Sequence, residues 1–107
     1  MFNFLRKDSS KSIHVNDIED LIGKIDLIDI REPHEFKSVR IKSAENIPMS
    51  NIIKYPNKYL KKGKKYYIIC QSGSRSKIAC KLLSLKGFNV INVAGGVGSY
   101  VGAKKDK

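Results

Sequence analysis

The sequence predicts an α/β domain: a mostly parallel sheet covered by helices on both faces. Three observations carry this. Asp26-Leu27-Ile28-Asp29-Ile30, Tyr66-Tyr67-Ile68-Ile69 and Asn89-Val90-Ile91-Asn92-Val93 are short apolar runs of the kind that form buried parallel strands. A helical pattern over Arg75 to Lys86 separates the last two. Strands alternating with helices then imply parallel pairing through crossovers.

The elements follow in order. Residues 1–11 read as a polar lead-in, 12–103 as one domain and 104–107 as a basic tail. Ser12 to Val15 is a short strand candidate. Asn16 reads as an N-cap with Glu19 three residues on, and Ile18, Leu21 and Ile22 give that short helix its apolar stripe. Gly23 ends it. After the Asp26–Ile30 strand, Pro33 opens a short helix to Ser38. Ser43 to Ile47 reads as a strand stopped by Pro48, and Met49, Ile52 and Ile53 as an inward-packing helical turn. Pro56 to Lys65 reads as a helical segment and then a loop at Gly63. In the 75–86 helix the apolar face is Ile78, Ala79, Leu82 and Leu83, with Gly87 just past its end. Gly95-Gly96 makes a tight turn, and Val97 to Ala103 reads as a last helix.

Length and composition exclude several classes. The chain has 107 residues, of which 41% are hydrophobic, which places it with single globular domains. No apolar run reaches a membrane span, and the start is too short for a signal-peptide core, so a cytoplasmic protein without a membrane partner is expected. Net charge is 21 − 10 = +11. Lysine supplies most of it, densest at Lys58, Lys61, Lys62, Lys64 and Lys65, without a nucleic-acid motif. A solvated face that also gathers small anions is expected, and no specific nucleic-acid partner. Two cysteines, Cys70 and Cys80, make no disulfide framework, and His14 and His34 make no metal spacing with them. No metal or cofactor is expected.

Cys70-Gln71-Ser72-Gly73-Ser74-Arg75-Ser76 is where chemistry is expected. Cys70 stands where a buried strand ends and a helix begins, the place where open α/β sheets bind ligands. The loop amides and the helix N-terminus favour negative charge there, so Cys70 is expected to have a lowered pKa and react as a thiolate. A buried structural thiol is the competing reading. Gly73 and the small polar residues suit an anion cradle better than a packed core. Gly73 is expected to supply a positive φ or a close backbone approach. Cys80 reads as a core residue: the helix rise from Arg75 to Cys80 alone is about 7.5 Å, beyond disulfide reach of about 7 Å.

Four stretches together resemble the single-domain rhodanese family of sulfurtransferases, from about Ser12 to Tyr100. Asp29-Ile30-Arg31-Glu32-Pro33-His34-Glu35-Phe36 resembles the family's Asp-Val-Arg-Glu-Pro-x-Glu-Phe. Ala44-Glu45-Asn46-Ile47-Pro48 resembles Ala-x-Asn-Ile-Pro, Cys70 to Ser76 the Cys-x-x-Gly-x-Arg-Ser loop, and Ala94-Gly95-Gly96-Val97 the Gly-Gly turn before the final helix. The resemblance implies a rhodanese-like three-layer domain with a five-stranded sheet between helices.

It also implies that Cys70 accepts a sulfane sulfur as a persulfide. The donor would be a small anion such as thiosulfate or a low-molecular-weight persulfide. The acceptor would be cyanide or a thiol, from glutathione to a thioredoxin-like or other protein. The amides of Gln71 to Ser76 would stabilise the sulfur anion, and Arg75 would hold the anionic donor or face the persulfide. Ser72, Ser74 and Ser76 would hydrogen-bond loop amides, or serve as loop polarity and N-caps. Asp29, Arg31 and Glu32 read as structural, with an Asp29–Arg31 salt bridge or a turn cap; a proton-transfer role for Asp29 is the alternative.

Two departures stand out. Arg40-Ile41-Lys42-Ser43 lacks the glycine of the family's His-Ile-x-Gly, and Tyr100 stands near a frequent tryptophan. A carrier or non-catalytic module that binds a partner protein is the second functional reading. A phosphatase or arsenate reductase is the third, weakened because four residues separate Cys70 from Arg75 where the dual-specificity phosphatases of this fold have five.

Overall fold

Among the described residues every pairing in the central sheet is parallel. The computed structural model describes residues 11–107, so residues 1–10 of the expected lead-in lie outside the described residues. Strands β1 (Lys11–His14), β2 (Leu27–Asp29), β4 (Glu45–Asn46), β5 (Lys65–Ile69) and β6 (Asn89–Ala94) lie in the order β1-β6-β5-β2-β4. Ile13 registers with Val93, Ile28 with Ile68 and with Glu45, and Tyr67 with Ile91. The chain runs outward from β1 through β2 to the edge strand β4 and then turns back through β5 to β6, so its crossovers lie on both faces of the sheet, as the alternating sequence requires.

The helices are α1 (Pro33–Ser38), α2 (Met49–Lys54), α3 (Pro56–Tyr59), α4 (Ser74–Leu85) and α5 (Gly96–Ser99). Side-chain parity along the strands divides the core in two. Tyr66, Ile68 and Cys70 of the β5 run point to one face, with Ile52 of α2 and Ala79, Cys80 and Leu83 of α4. Tyr67 and Ile69 point to the other, with Val15, Ile18, Val97 and Tyr100. Strands buried on both faces explain why these runs are continuously apolar.

Several expectations need correction. The segment after β1 is a 3-10 helix, Val15–Leu21, and its N-cap is His14, whose Nδ1 accepts from Asn16 N at 3.2 Å. Asn16 is used elsewhere: Nδ2 donates to Ser99 O and Oδ1 accepts from Val101 N, both at 3.0 Å. Glu19, expected in a capping box, accepts from the Tyr100 hydroxyl at 2.5 Å. Long-range partners outcompete a local cap here.

On α4 the buried face is Ser76, Ala79, Cys80 and Leu83, at the spacing of one helical stripe. Ile78 and Leu82, expected on that face, are 56% and 39% exposed. The last helix stops at Ser99 and not Ala103, because Tyr100 turns inward to 2% exposure.

Arg40–Ile41 (β3) was not anticipated as a strand. It pairs antiparallel with Lys105–Asp106 (β7), so the basic end of the chain is part of a two-stranded ribbon. Beside it, Ser43 has φ +67°, the left-handed conformation that the family's glycine would adopt freely. Among the described residues, no helix is long and apolar enough to cross a membrane.

Candidate active site

Cys70 lies at the carboxyl end of β5, at the centre of the sheet, and its side chain is turned toward α4. It is wholly buried. The next residues fold tightly because Gly73 takes φ +98°, and even there an added Cβ would sit 3.0 Å from Gly95 N. That turn swings two amides onto the sulfur. Gly73 N donates to Cys70 Sγ at 3.1 Å and Ser76 N at 3.3 Å. Ser76 Oγ lies 3.4 Å from the same sulfur. Burial raises the thiol pKa, and the bonds from the Ser76 hydroxyl and the amides of Ser76, Gly73 and Ser72 more than offset it. The net pKa is below that of an ordinary thiol.

The Gly-Gly turn holds the start of the loop from the opposite side. Val97 N donates to Cys70 O and Gly98 N to Gln71 O, each at 2.9 Å. Gly96 packs directly on these two carbonyls, with φ +66°, and a Cβ there would overlap both. The sequence marks Gly95-Gly96 as a turn; its role as the floor under Cys70 emerges only from the structure.

Asp29 and Arg31 form a second support. Both are buried, at 0% and 1% exposure. Asp29 Oδ2 accepts from Arg31 Nη2 at 2.9 Å, and Asp29 Oδ1 accepts from Arg31 N at 3.0 Å, so salt bridge and turn cap are both present. Arg31 Nη1 then donates to Gln71 Oε1 at 3.0 Å, and Nη2 donates to Val39 O at 2.6 Å. Asn46 Nδ2 ties the same bend by donating to Asp29 O and Arg31 O, each at 2.9 Å. This gives the Ala-Glu-Asn-Ile-Pro stretch a physical reason. The Asp29 carboxylate makes no hydrogen bond to Cys70 among the described residues and is committed to Arg31.

Arg75 sits at the rim. Its Nη1 and Nη2 donate to Glu35 Oε1 and Oε2 at 2.9 and 3.0 Å, a two-point fork. The Arg75 bonds, with Glu32 N donating to Oε1, hold the Glu35 carboxyl down at about 2. Glu35 raises the Arg75 pKa in turn. Sequence reasoning missed Glu35 as a site residue, although it stands in the quoted Glu-Pro-His-Glu-Phe stretch. The other residue missed is Asn92, whose Oδ1 accepts from Ser76 Oγ at 2.5 Å.

Ser72 and Ser74 are exposed, with hydroxyls 3.1 Å apart that bond each other and not the sulfur. Gln71 is exposed at the rim. Ser76 is buried, and it is the loop serine that reaches Cys70. Cys80 is a free, buried thiol; burial chiefly, and the Cys70 charge next, push its pKa up to about 12, so it stays protonated. A cavity of about 410 Å³ lies behind the loop, lined by Ser72, Gly73, Ser74, Cys80 and Asn92.

The model of the rhodanese-like domain family matches residues 14–103. The provisionally named sulfurtransferase YtwF of Bacillus subtilis (strain 168) is 42% identical over 83 residues, covering 76% of this chain and 78% of that protein. A provisionally named sulfur carrier protein from the same organism, YrkF, is 32% identical and covers 94% of this chain; the match takes in 60% of YrkF. Among solved structures, the Staphylococcus saprophyticus protein SSP1007 superposes with a TM-score of 0.81 at 31% identity, covering 91% of this chain and 99% of that one.

Proposed function

The chain belongs to the rhodanese-like family, and on that premise we propose that it moves sulfane sulfur through a persulfide on Cys70. One observation carries the reading. Two backbone amides and a hydroxyl converge on a buried sulfur, and they lower its pKa despite that burial. A structural core thiol has no use for such donors.

The steps follow thiol–disulfide exchange. The Cys70 thiolate attacks the outer sulfur of thiosulfate or of a small persulfide. A sulfur–sulfur bond forms at Cys70; the bond inside the donor breaks, and sulfite or a thiolate leaves with its electron pair. An acceptor thiolate, or cyanide, then attacks the terminal sulfur and restores the Cys70 thiolate. Gly73 N and Ser76 N point at the charge in its resting position. Arg75 adds positive charge at the rim, with its fork held by Glu35 until a donor competes for it. Because Cys70 is wholly buried, a donor reaches its sulfur only when the surrounding residues shift. A reducing, cytoplasmic setting suits two free cysteines.

The carrier reading differs in the last step: the sulfur is handed once to a partner protein. YrkF, named as a carrier, and the burial of the thiol favour keeping it. The test is intact mass after incubation with thiosulfate or with glutathione persulfide, for wild type and Cys70→Ala. Gain of one sulfur atom, removed by cyanide and absent in Cys70→Ala, is expected. No gain with either donor would overturn the enzymatic reading. Loading without turnover on small thiols would select the carrier.

A further inference from the structure

Asn92 is the buried polar residue at this site that the proposed chemistry leaves without a task. It lies on β6, 7% exposed, with its side chain against α4. Its Oδ1 accepts from Ser76 Oγ, while its Nδ2 has no protein partner among the described residues. A buried N–H without a protein partner calls for a reason. Asn92 also lines the 410 Å³ cavity, which gives the amide room to rotate.

We propose that Asn92 is a positioning residue for Cys70: its amide turns over when the thiol ionises, and Ser76 transmits the turn to sulfur. This rests on the reading of Cys70 as a working thiolate. Ser76 has one hydroxyl proton and three acceptors within reach: Asn92 Oδ1 at 2.5 Å, Gly73 O at 3.1 Å and Cys70 Sγ at 3.4 Å.

In the thiol state the S–H donates to Ser76 Oγ, and the Ser76 proton goes to Asn92. Ionisation removes the S–H and leaves an anion that needs a donor. The Ser76 O–H swings to sulfur. Two oxygens then face each other at 2.5 Å with no proton between them. Half a turn of the Asn92 amide replaces Oδ1 by Nδ2 and completes an N–H to O–H to S⁻ chain. Such chains strengthen cooperatively. The displaced Oδ1 enters the cavity, where Lys11, Lys77, Ser12, Ser72 and Ser74 carry donors.

The charged and titratable groups around this relay are Arg75 with Glu35, Lys77 and Cys80 on α4, the Asp29–Arg31 pair, and Lys11. None of them hydrogen-bonds to Ser76 or Asn92 among the described residues. The coupling therefore runs through the Ser76 hydroxyl.

The test follows Cys70 ionisation by thiolate absorbance against pH, with Cys70→Ala as the blank. Asn92→Leu removes both the acceptor and the donor. The thiol state loses little, since Gly73 O still accepts the proton, while the thiolate state loses the end of its chain. Asn92→Leu is expected to raise the Cys70 pKa by about one unit, a tenfold loss of thiolate below that pKa. Ser76→Ala also raises it, and adding Asn92→Leu to Ser76→Ala changes nothing more. An unmoved pKa in Asn92→Leu, or a full further shift on the Ser76→Ala background, would overturn the proposal.

A second measurement needs no substitution in the relay. The Asn92 side-chain NH₂ resonances of the wild type are expected to titrate with the Cys70 midpoint and to stay flat in Cys70→Ala. Resonances indifferent to pH in the wild type would overturn the proposal as well. Neither experiment uses a sulfur donor, so a failure to load sulfur bears on the proposed function alone.

Discussion

Replacing Glu35 by Gln keeps the shape of the rim and removes one charge from the Arg75 fork. The Glu35 carboxyl is lowered from 4.5 to about 2, chiefly by the Arg75 bonds. That gap of about 2.5 units, at about 1.36 kcal/mol each, sets a ceiling near 3.4 kcal/mol. The side chains of Arg75 and Glu35 are 37% and 25% exposed, so solvent screening reduces the contribution to about 1 kcal/mol. The sign follows from linkage. A depressed carboxyl pKa contributes stability that is full above 4.5 and is lost as pH falls toward 2. Urea unfolding of wild type and Glu35→Gln, followed by circular dichroism, reads this directly. The expected gap is about 1 kcal/mol at pH 7, a midpoint shift of roughly 0.5 M, closing as the pH falls from 4.5. A gap that stays constant from pH 7 to pH 3, or none at pH 7, would refute the reasoning.

Other substitutions test the supports of the loop. Asp29→Asn leaves Arg31 buried without its charge partner, and a loss of about 3–5 kcal/mol in chemical denaturation is expected; adding Arg31→Met should restore much of it. Gly96→Ala sets a Cβ against the carbonyls of Cys70 and Gln71 at φ +66°, so a stability loss of about 2–4 kcal/mol should accompany slower persulfide loading. Ser43→Gly relieves the left-handed strain at φ +67°; net of the freedom glycine gains when unfolded, a gain of about 0.5 kcal/mol in thermal unfolding is expected.

The strands of the central sheet were legible because burial on both faces writes itself as unbroken apolar runs. The glycines at 23, 73 and 87 were legible too, since each marks a reversal that needs positive φ. Cys70 stood out because strand, small polar loop and helix are contiguous in the chain. What local pattern could not show depends on contacts between distant residues. Asn16 and Glu19 look like a local cap, but Ser99, Val101 and Tyr100 claim them. Arg75 looks free to meet a donor, yet Glu35 lies 40 positions earlier in the chain and takes both of its terminal nitrogens. Ile78 and Leu82 look like core by hydrophobicity alone, while the helix turns Ser76 and Cys80 inward. Asn92 gave no signal at all, since a polar residue inside a strand reads as an interruption.

The sheet order has a consequence for synthesis. Among the described residues β1 pairs with β6, some 80 positions further along the chain, and the carbonyls of Cys70 and Gln71 wait for Val97 and Gly98. A nascent chain that has emerged only as far as Gly87 therefore has β1 without its β6 neighbour and a cysteine loop without its floor. The bend that turns Gly73 N and Ser76 N onto the sulfur gains that support only once β6 and the turn after it have been made. The loop that holds Cys70 is thus completed by two backbone bonds from residues 27 positions further along the chain.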